Sequence, residues 1–425
     1  MKKIVNISLV LIFLFGTLAL AQQKASGIVY DRPEKQLLSS ERVQEKAGPS
    51  SPYLNLKQAP PYVAPVNAVG TYTNMYTFYD FQDNGGEFRR IEMSPIDRNK
   101  IHTILMASND SLNQSASRRT WANYSSNGGN SWGAVPAVVP GVRSGYPSLT
   151  LNPNLGIDGY PAIVANHADP DGDGNMSSYM YFEQVEGGGN YTDGYGPGLA
   201  LWGANPVTDC PIWPHLAAST NGNTIMAAGK STADGVGLVV YDLNAVFSSW
   251  VKIDTNGGAA RIGIAAGPGG RVACVYTDGT NITDFKYYYS MSYDNGVTWS
   301  SKILADSGSS ALNKGLYWGG SSSLFLDTTL FIAYPGTDKD GKYAECRIYL
   351  YNNKTKTAVV AIDSNNFPTL MKTIVAGQSQ GSHAFDFTFP SLGKNANNTR
   401  LYLACDAFQQ DVVDYVPGVG NFAFS

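Results

Sequence analysis

RIGIAAGPGGRVACVYTDGTNITDFKYYYSMSYDNGVTW, residues 261–299, decides the fold class. Three short runs, RIGIAA, RVACVYT and FKYYYSMSY, are rich in Val, Ile, Ala and Tyr and are cut by Gly, Pro, Asn and Asp, which is the pattern of short antiparallel strands joined by turns. A fourth strand is expected after the polar turn that ends at Trp299. The first two runs, an inner strand followed by a more apolar one across a tight turn, recur along the chain. They appear as RRIEMSPIDRNKIHTILMAS (89–108), YPSLTLNPNLGIDGYPAIVAN (146–166), PHLAASTNGNTIMAAG (214–229), WGGSSSLFLDTTLFIAYP (318–335) and AFDFTFPSLGKNANNTRLYLACD (384–406). The copies begin near Arg90, Tyr146, His215, Arg261, Trp318 and His383, 46 to 69 residues apart, room for four short strands each. One such sheet cannot bury both faces alone, whereas sheets set radially around an axis bury them against each other. The expectation is an all-β, six-bladed propeller with four-stranded antiparallel blades over residues 71–425, in which YTNMYTFYDF (72–81) adds an outer strand to the last blade.

Two outer turns carry a more specific pattern. Ser125, Asn127, Gly129, Ser131 and Trp132 in the first copy match Ser292, Asp294, Gly296, Thr298 and Trp299 in the fourth, as S-x-(D/N)-x-G-x-(S/T)-W. A short amide or carboxylate can accept backbone N–H groups of the turn, glycine supplies positive φ, and tryptophan packs beside the strand. This is a folding device and requires no chemistry. On these residues the chain resembles the sialidase-like Asp-box (BNR repeat) propeller superfamily, with degenerate versions in YFEQVEGGGNYT and YDLNAVFSSWVKI. The resemblance implies the propeller fold. It leaves activity open, because sialidases, other glycosidases, adhesin-like and structural members share the architecture.

In a propeller the residues entering each inner strand and those leaving the second strand meet on one face. Entry positions are Arg89, Arg90, Tyr146, His215, Arg261, Tyr317, Trp318 and His383, and exits include Asp110, His167, Asp169, Asp278, Asp338, Asp340 and Asp406. Aromatics there suit sugar faces, while Asp, Arg and His suit hydroxyl and carboxylate groups. For catalysis the resemblance implies three arginines, an Asp acid/base and a Tyr–Glu pair. Arg90, in a Phe-Arg-Arg-Ile-Glu stretch, and Arg261 supply two arginines, no third is evident, and no Tyr–Glu pair is apparent. Asp110 or Asp169 with Asp406 would form an alternative carboxylate pair. The reading from sequence is therefore a non-catalytic module binding a glycan or a protein, with a glycoside hydrolase acting on extracellular glycans and a purely structural surface protein as the alternatives.

Asp169-Pro-Asp171-Gly-Asp173-Gly-Asn175 alternates acidic oxygens with glycines, as in the first half of a calcium loop, although the twelfth position is Met180 rather than Glu. Calcium is the expected ligand of Asp169, Asp171 and Asp173. Four histidines without paired spacing argue against zinc, and no phosphate loop or dinucleotide fingerprint suggests an organic cofactor. Thirty basic residues against 34 acidic, without a basic tract, give no electrostatic case for nucleic acid. Lys2 and Lys3 precede the apolar run ISLVLIFLFGTLALA (7–21), an export signal over residues 1–21, and no later run is long enough to cross a bilayer. Residues 22–70 read as a Pro-rich tether or arm, and the expected location is secreted, cell-surface or periplasmic. Cys210, Cys274, Cys346 and Cys405 lie too far apart for a thiolate metal site and are expected to serve packing.

Overall fold

The computed structural model describes residues 71–77, 89–110, 112–139, 142–152, 159–168, 177–192, 211–230, 236–242, 245–254, 262–278, 283–316, 320–340, 347–363, 387–395, 398–410 and 422–424. Within them the chain is built of antiparallel strands, with one short α-helix, α1 (Gln114–Ser117), and a 3-10 turn at Ser310–Leu312. Four sheets are simple meanders. They comprise β1 (Ile91–Met93), β2 (Ile101–Ala107), β3 (Arg119–Ser125) and β4 (Ala137–Val138); β5 (Ser144–Leu151), β6 (Ala162–Ala168) and β7 (Ser177–Phe182); β8 (Pro211–Ala218), β9 (Thr224–Lys230), β10 (Val236–Asp242) and β11 (Ala245–Asp254); and β12 (Ile262–Ala266), β13 (Val272–Asp278), β14 (Lys286–Ser292) and β15 (Ile303–Ser307).

The fold is all-β and propeller-like, with four such blades, and the expectation of six four-stranded blades is corrected. After β15 the described sheets depart from this simple form. β16 (Gly315–Leu316), β17 (Ser322–Leu326), β18 (Thr329–Thr337), β19 (Arg347–Asn352) and β20 (Thr357–Ile362) form a five-stranded sheet in which β16 and β17 both pair with β18. The nine-residue β18 outruns the five-residue β17, so β16 takes the remaining length of its edge. β21 (Phe387–Lys394), β22 (Leu401–Gln410) and β23 (Phe422–Phe424) make a three-stranded sheet. The stretch near 72–81 also differs from expectation. Its described part, 71–77, lies along the first blade rather than beside β22: Asn74 donates to Gly133 O (3.0 Å), Asn123 donates to Thr73 O (2.6 Å), and Tyr76 packs edge-on against Trp121.

The innermost strands share a device built on proline. β5, β8 and β21 each carry an aromatic–Pro pair, Tyr146-Pro147, Trp213-Pro214 and Phe389-Pro390, and in each the ladder slips by one residue there. Proline has no N–H for the ladder, so the pair is accommodated as a bulge. Two residues after each proline stands a leucine whose N–H leaves its own sheet. Leu149 N–H donates to Arg89 O (2.9 Å), Leu216 N–H to Ser148 Oγ (3.1 Å) and Leu392 N–H to Ser322 Oγ (3.0 Å). Each acceptor belongs to the chain entering or forming the preceding inner strand. Unpaired N–H groups of an inner edge strand are thus satisfied by the neighbouring sheet.

The core between β14 and β18 explains much of the aromatic content. Tyr287 stacks on Tyr334 at 4.3 Å, Tyr334 stacks on Tyr349 at 5.9 Å, and Phe325 and Phe285 complete a buried cluster. Cys274 forms no disulfide and packs in the β12–β13 core, where burial pushes its thiol well up. Cys405 is half-buried, and Cys210 and Cys346 lie outside the described residues.

The two outer turns are built alike. Ser125 Oγ accepts from Gly129 N–H (2.9 Å) and Asn127 Oδ1 accepts from Ser131 N–H (2.8 Å); Ser292 Oγ accepts from Gly296 N–H (2.9 Å) and Asp294 Oδ1 from Thr298 N–H (2.8 Å). Gly129 and Gly296 take φ of +83° and +89°. The Thr298 hydroxyl and then its N–H hold the Asp294 carboxyl down at about 2. A depressed carboxylate contributes stability above its unfolded value and loses it as pH falls toward the folded value. We expect Asp294→Asn to fold, since Asn127 fills the same place, and to shrink the stability lost between pH 5 and pH 2.5 by about 1 kcal/mol or less, given its exposure. Urea melts across that range check this, and identical acid limbs for both proteins would refute it.

Candidate functional site

The face that carries the entries to the inner strands and the exits from the second strands is best defined over the first three blades. Here β2 ends at Ala107, the connection bearing Asp110 and α1 follows, and Arg118 precedes β3. Arg118 is fully buried. Its Nη2 donates to His167 Nε2 at 3.1 Å, and its guanidinium lies over the Tyr146 ring at 5.2 Å. Because arginine can only donate, His167 Nε2 is the acceptor and the imidazole is neutral with its proton on Nδ1. Tyr146 packs edge-on to His167 at 4.9 Å and to Trp213 at 6.5 Å. His215 is buried two residues beyond Trp213.

Local backbone geometry places these groups. Gly145 lies so close to Met106 and Arg118 that an added Cβ would sit 2.7 Å from Met106 Sδ and 3.1 Å from Arg118 Nε. At the bulges Tyr146 and Trp213 adopt φ of 48° and 53°, a left-handed conformation that bulky side chains rarely take. Burial, followed by the positive charges of Arg118 and Arg143, lowers the His167 pKa well below its ordinary value. Arg143 itself is half-buried, so solvent reaches it where it does not reach Arg118.

The other sequence-selected residues are held as follows. Arg89 reaches across the axis to Ile264 O and Ser323 O, both at 3.5 Å, and pairs with Glu92 at 3.7 Å. Arg90 is half-buried and its carbonyl accepts from Thr103 Oγ1 and Ile104 N–H. Asp110 Oδ1 accepts the N–H groups of Leu112 (2.9 Å) and Asn113 (3.2 Å). Asp338 is buried and accepts from Asp340 N–H at 3.0 Å. Asp406 pairs with Thr388 in the β21–β22 ladder. Arg261, Tyr317, Trp318, His383, Asp169, Asp171 and Asp173 lie outside the described residues. Among the described residues no group of three or more His, Cys, Asp or Glu is arranged to hold a metal, and no helix is long and apolar enough to cross a membrane.

Sequence reasoning selected Tyr146, His167 and His215 but missed Arg118, Arg143 and Trp213. Third strands begin on the same face as first strands, so Arg118 was legible from its place before β3. The repeated aromatic–Pro pair was the signal for Trp213.

No family model and no curated protein matches the sequence. Solved structures of similar chain path include a protein of unknown function from Dyadobacter fermentans (14% identity, 81% of this chain and 94% of that one, TM-score 0.49). Others are the Hadza microbial sialidase Hz136 (11%, 71% and 60%, 0.45) and the Penicillium chrysogenum α-L-arabinanase (14%, 62% and 76%, 0.40). These likenesses concern the fold. The chain spans 60% of the Hz136 sialidase chain.

The neutral histidines make stability depend on pH. Burial lowers His102 to about 4, and His167 is also lowered. The unfolded chain therefore takes up protons first, below about pH 6.5, and the stability of these neutral groups, full above that pH, is lost as pH falls. Between pH 6.5 and 5 we expect unfolding free energy to drop with a slope of up to about 1.4 kcal/mol per pH unit for each histidine. His167→Gln should reduce that slope whatever its effect at pH 7. An unchanged slope in denaturant titrations would contradict the assignment.

Proposed function

We propose that this chain is an exported glycoside hydrolase acting on extracellular glycans, with preference for sugars that bear a carboxylate. One observation carries the reading: the buried Arg118 guanidinium donates to His167 Nε2 at the face of the first two blades, and half-buried Arg143 adds a second positive charge one residue before β5. Burial is the main cause that keeps His167 neutral, and the guanidiniums that add to it also attract an anion. Arg118 is buried and supplies the field, while half-buried Arg143 is the member that meets an incoming group. Asp110, in the connection that runs on to Arg118, is the carboxylate we assign as acid/base.

This replaces the non-catalytic module favoured by the sequence. That preference is corrected because solved structures of similar path bear the names of a sialidase, an exo-β-1,3-galactanase and an α-L-arabinanase, all enzymes that cleave glycosidic bonds. The likeness bears on fold, and the charge arrangement carries the proposal. Export through residues 1–21 and calcium held by Asp169, Asp171 and Asp173 are part of the same reading on sequence grounds, and a melting temperature lowered by chelation would support the latter.

The test is a panel of fluorogenic glycosides comprising an α-N-acetylneuraminide, a β-glucuronide, a β-galactoside and an α-L-arabinofuranoside. We expect the acidic glycosides to be cleaved preferentially, with KM rising as salt screens the guanidiniums. Arg143→Gln should raise KM with little change in kcat, and Asp110→Asn should lower kcat by about a hundredfold or more. A folded wild-type protein that cleaves none of the four would sink the reading.

A further inference from the structure

Trp213 bears two unfavourable features at once. Its backbone is left-handed at φ 53°, a strained state for a bulky residue, and its indole N–H is buried with no hydrogen-bond partner among the described residues. A buried donor left unpaired is destabilising, and native structures rarely tolerate one without a reason. The fold itself requires only the ring. At the matching bulge of β21 the residue is Phe389, and in β5 it is Tyr146, so an aromatic without an indole N–H meets the demands of the aromatic–Pro bulge. The strain and the unpaired donor coincide at the face already described, where Trp213 packs against Tyr146 and Tyr146 against His167.

We propose that Trp213 is a ligand-binding residue of this face, its indole N–H donating to an oxygen of the bound sugar. The location rests on the proposed glycan-acting site, but the donor can be examined without activity. A sugar oxygen entering here gains a hydrogen bond that displaces no internal one, so binding breaks no bond of the scaffold. Bulges recur beside functional sites because they re-aim a side chain, and here the bulge turns the indole of β8 toward the neighbouring blade.

Trp213→Phe separates the two roles. It keeps an aromatic ring at the bulge but removes the N–H together with part of the indole's buried volume, so a modest fall in melting temperature from the lost volume is expected and binding, not stability, is the deciding readout. In wild-type protein labelled with ¹⁵N at the indole, the Trp213 resonance, assigned by its loss in the variant, should lie where non-hydrogen-bonded indoles lie. It should move on adding at least one of N-acetylneuraminic acid, glucuronic acid or galactose. The variant should bind that sugar about tenfold more weakly, and for any glycoside the wild type cleaves it should raise KM about tenfold with kcat retained.

An indole already hydrogen-bonded in the sugar-free protein, whether to protein or to a resident water, overturns the proposal. A resonance indifferent to all three sugars in a protein that does cleave the panel overturns it while leaving the hydrolase reading intact. A resonance that moves with a sugar in a protein that cleaves nothing supports Trp213 and removes the hydrolase reading. Indifference to the sugars together with no cleavage removes both.

Discussion

A proline cannot donate to a β-ladder, and in this protein that constraint organises the centre. Where Pro147, Pro214 and Pro390 enter the inner strands, each ladder slips by one residue, and the leucine two positions on donates across to the preceding sheet. A strand with proline is normally confined to an edge. An inner propeller strand is an edge, and its unsatisfied N–H groups would be costly if buried without partners. The inter-sheet bonds remove that cost and set each sheet against the next. Arg89 adds a longer tie, from the first blade to the carbonyls of Ile264 and Ser323. The bulges also force Tyr146 and Trp213 into left-handed backbone, so the geometry that closes the centre also shapes the face.

The outer turns solve a different problem by side-chain acceptors. Asn127 and Asp294 occupy equivalent places and accept from the residue four positions on at the same distance, 2.8 Å. The neutral amide shows that hydrogen-bond geometry, not charge, is what the turn needs. In the second blade the corresponding turn is held by Glu183, which accepts from Ala162 N–H at 3.0 Å and Gly189 N–H at 3.2 Å. Its carboxyl is raised by burial and faces His102 Nδ1 at 3.7 Å. A longer side chain reaches the same backbone groups from inside the seam between blades, which is why this turn looks degenerate in sequence yet remains closed.

Much of the fold was legible because each strand pair is local: turn residues and apolar runs mark it, and S-x-(D/N)-x-G-x-(S/T)-W names its own hydrogen bonds. The number of blades was not. Counting copies assumes that each continues into the same four strands, whereas β18 is long enough to accept both β16 and β17 and the last sheet ends at β23. The path of 71–77 was also missed, since its partners Asn123 and Gly133 are side-chain and loop groups that leave no periodic signal. For the site, entry and exit positions named Tyr146 and His167, whose rings pack edge-on in the fold. They did not reveal that Tyr146, His167 and His215 are buried there, because burial depends on the neighbouring blade and not on the strand that bears them.

The face of the first three blades gathers several energetic costs that the fold does not require. Burying a guanidinium costs several kcal/mol before compensation, and Arg118 has no solvent exposure. Its described contacts include a neutral imidazole and the face of a tyrosine ring. Beside it stand two bulky residues with left-handed backbone, one of them with an unpaired indole donor. Phe389 shows that the repeated bulge can be built without the indole N–H, and the leucine–serine bonds show that sheets can be joined without a buried charge. Each cost would be removed by a simple substitution if packing were the only demand. The left-handed backbone of Trp213 and its unpaired indole donor converge at one point on that face, and a ligand that supplies the missing acceptor accounts for both.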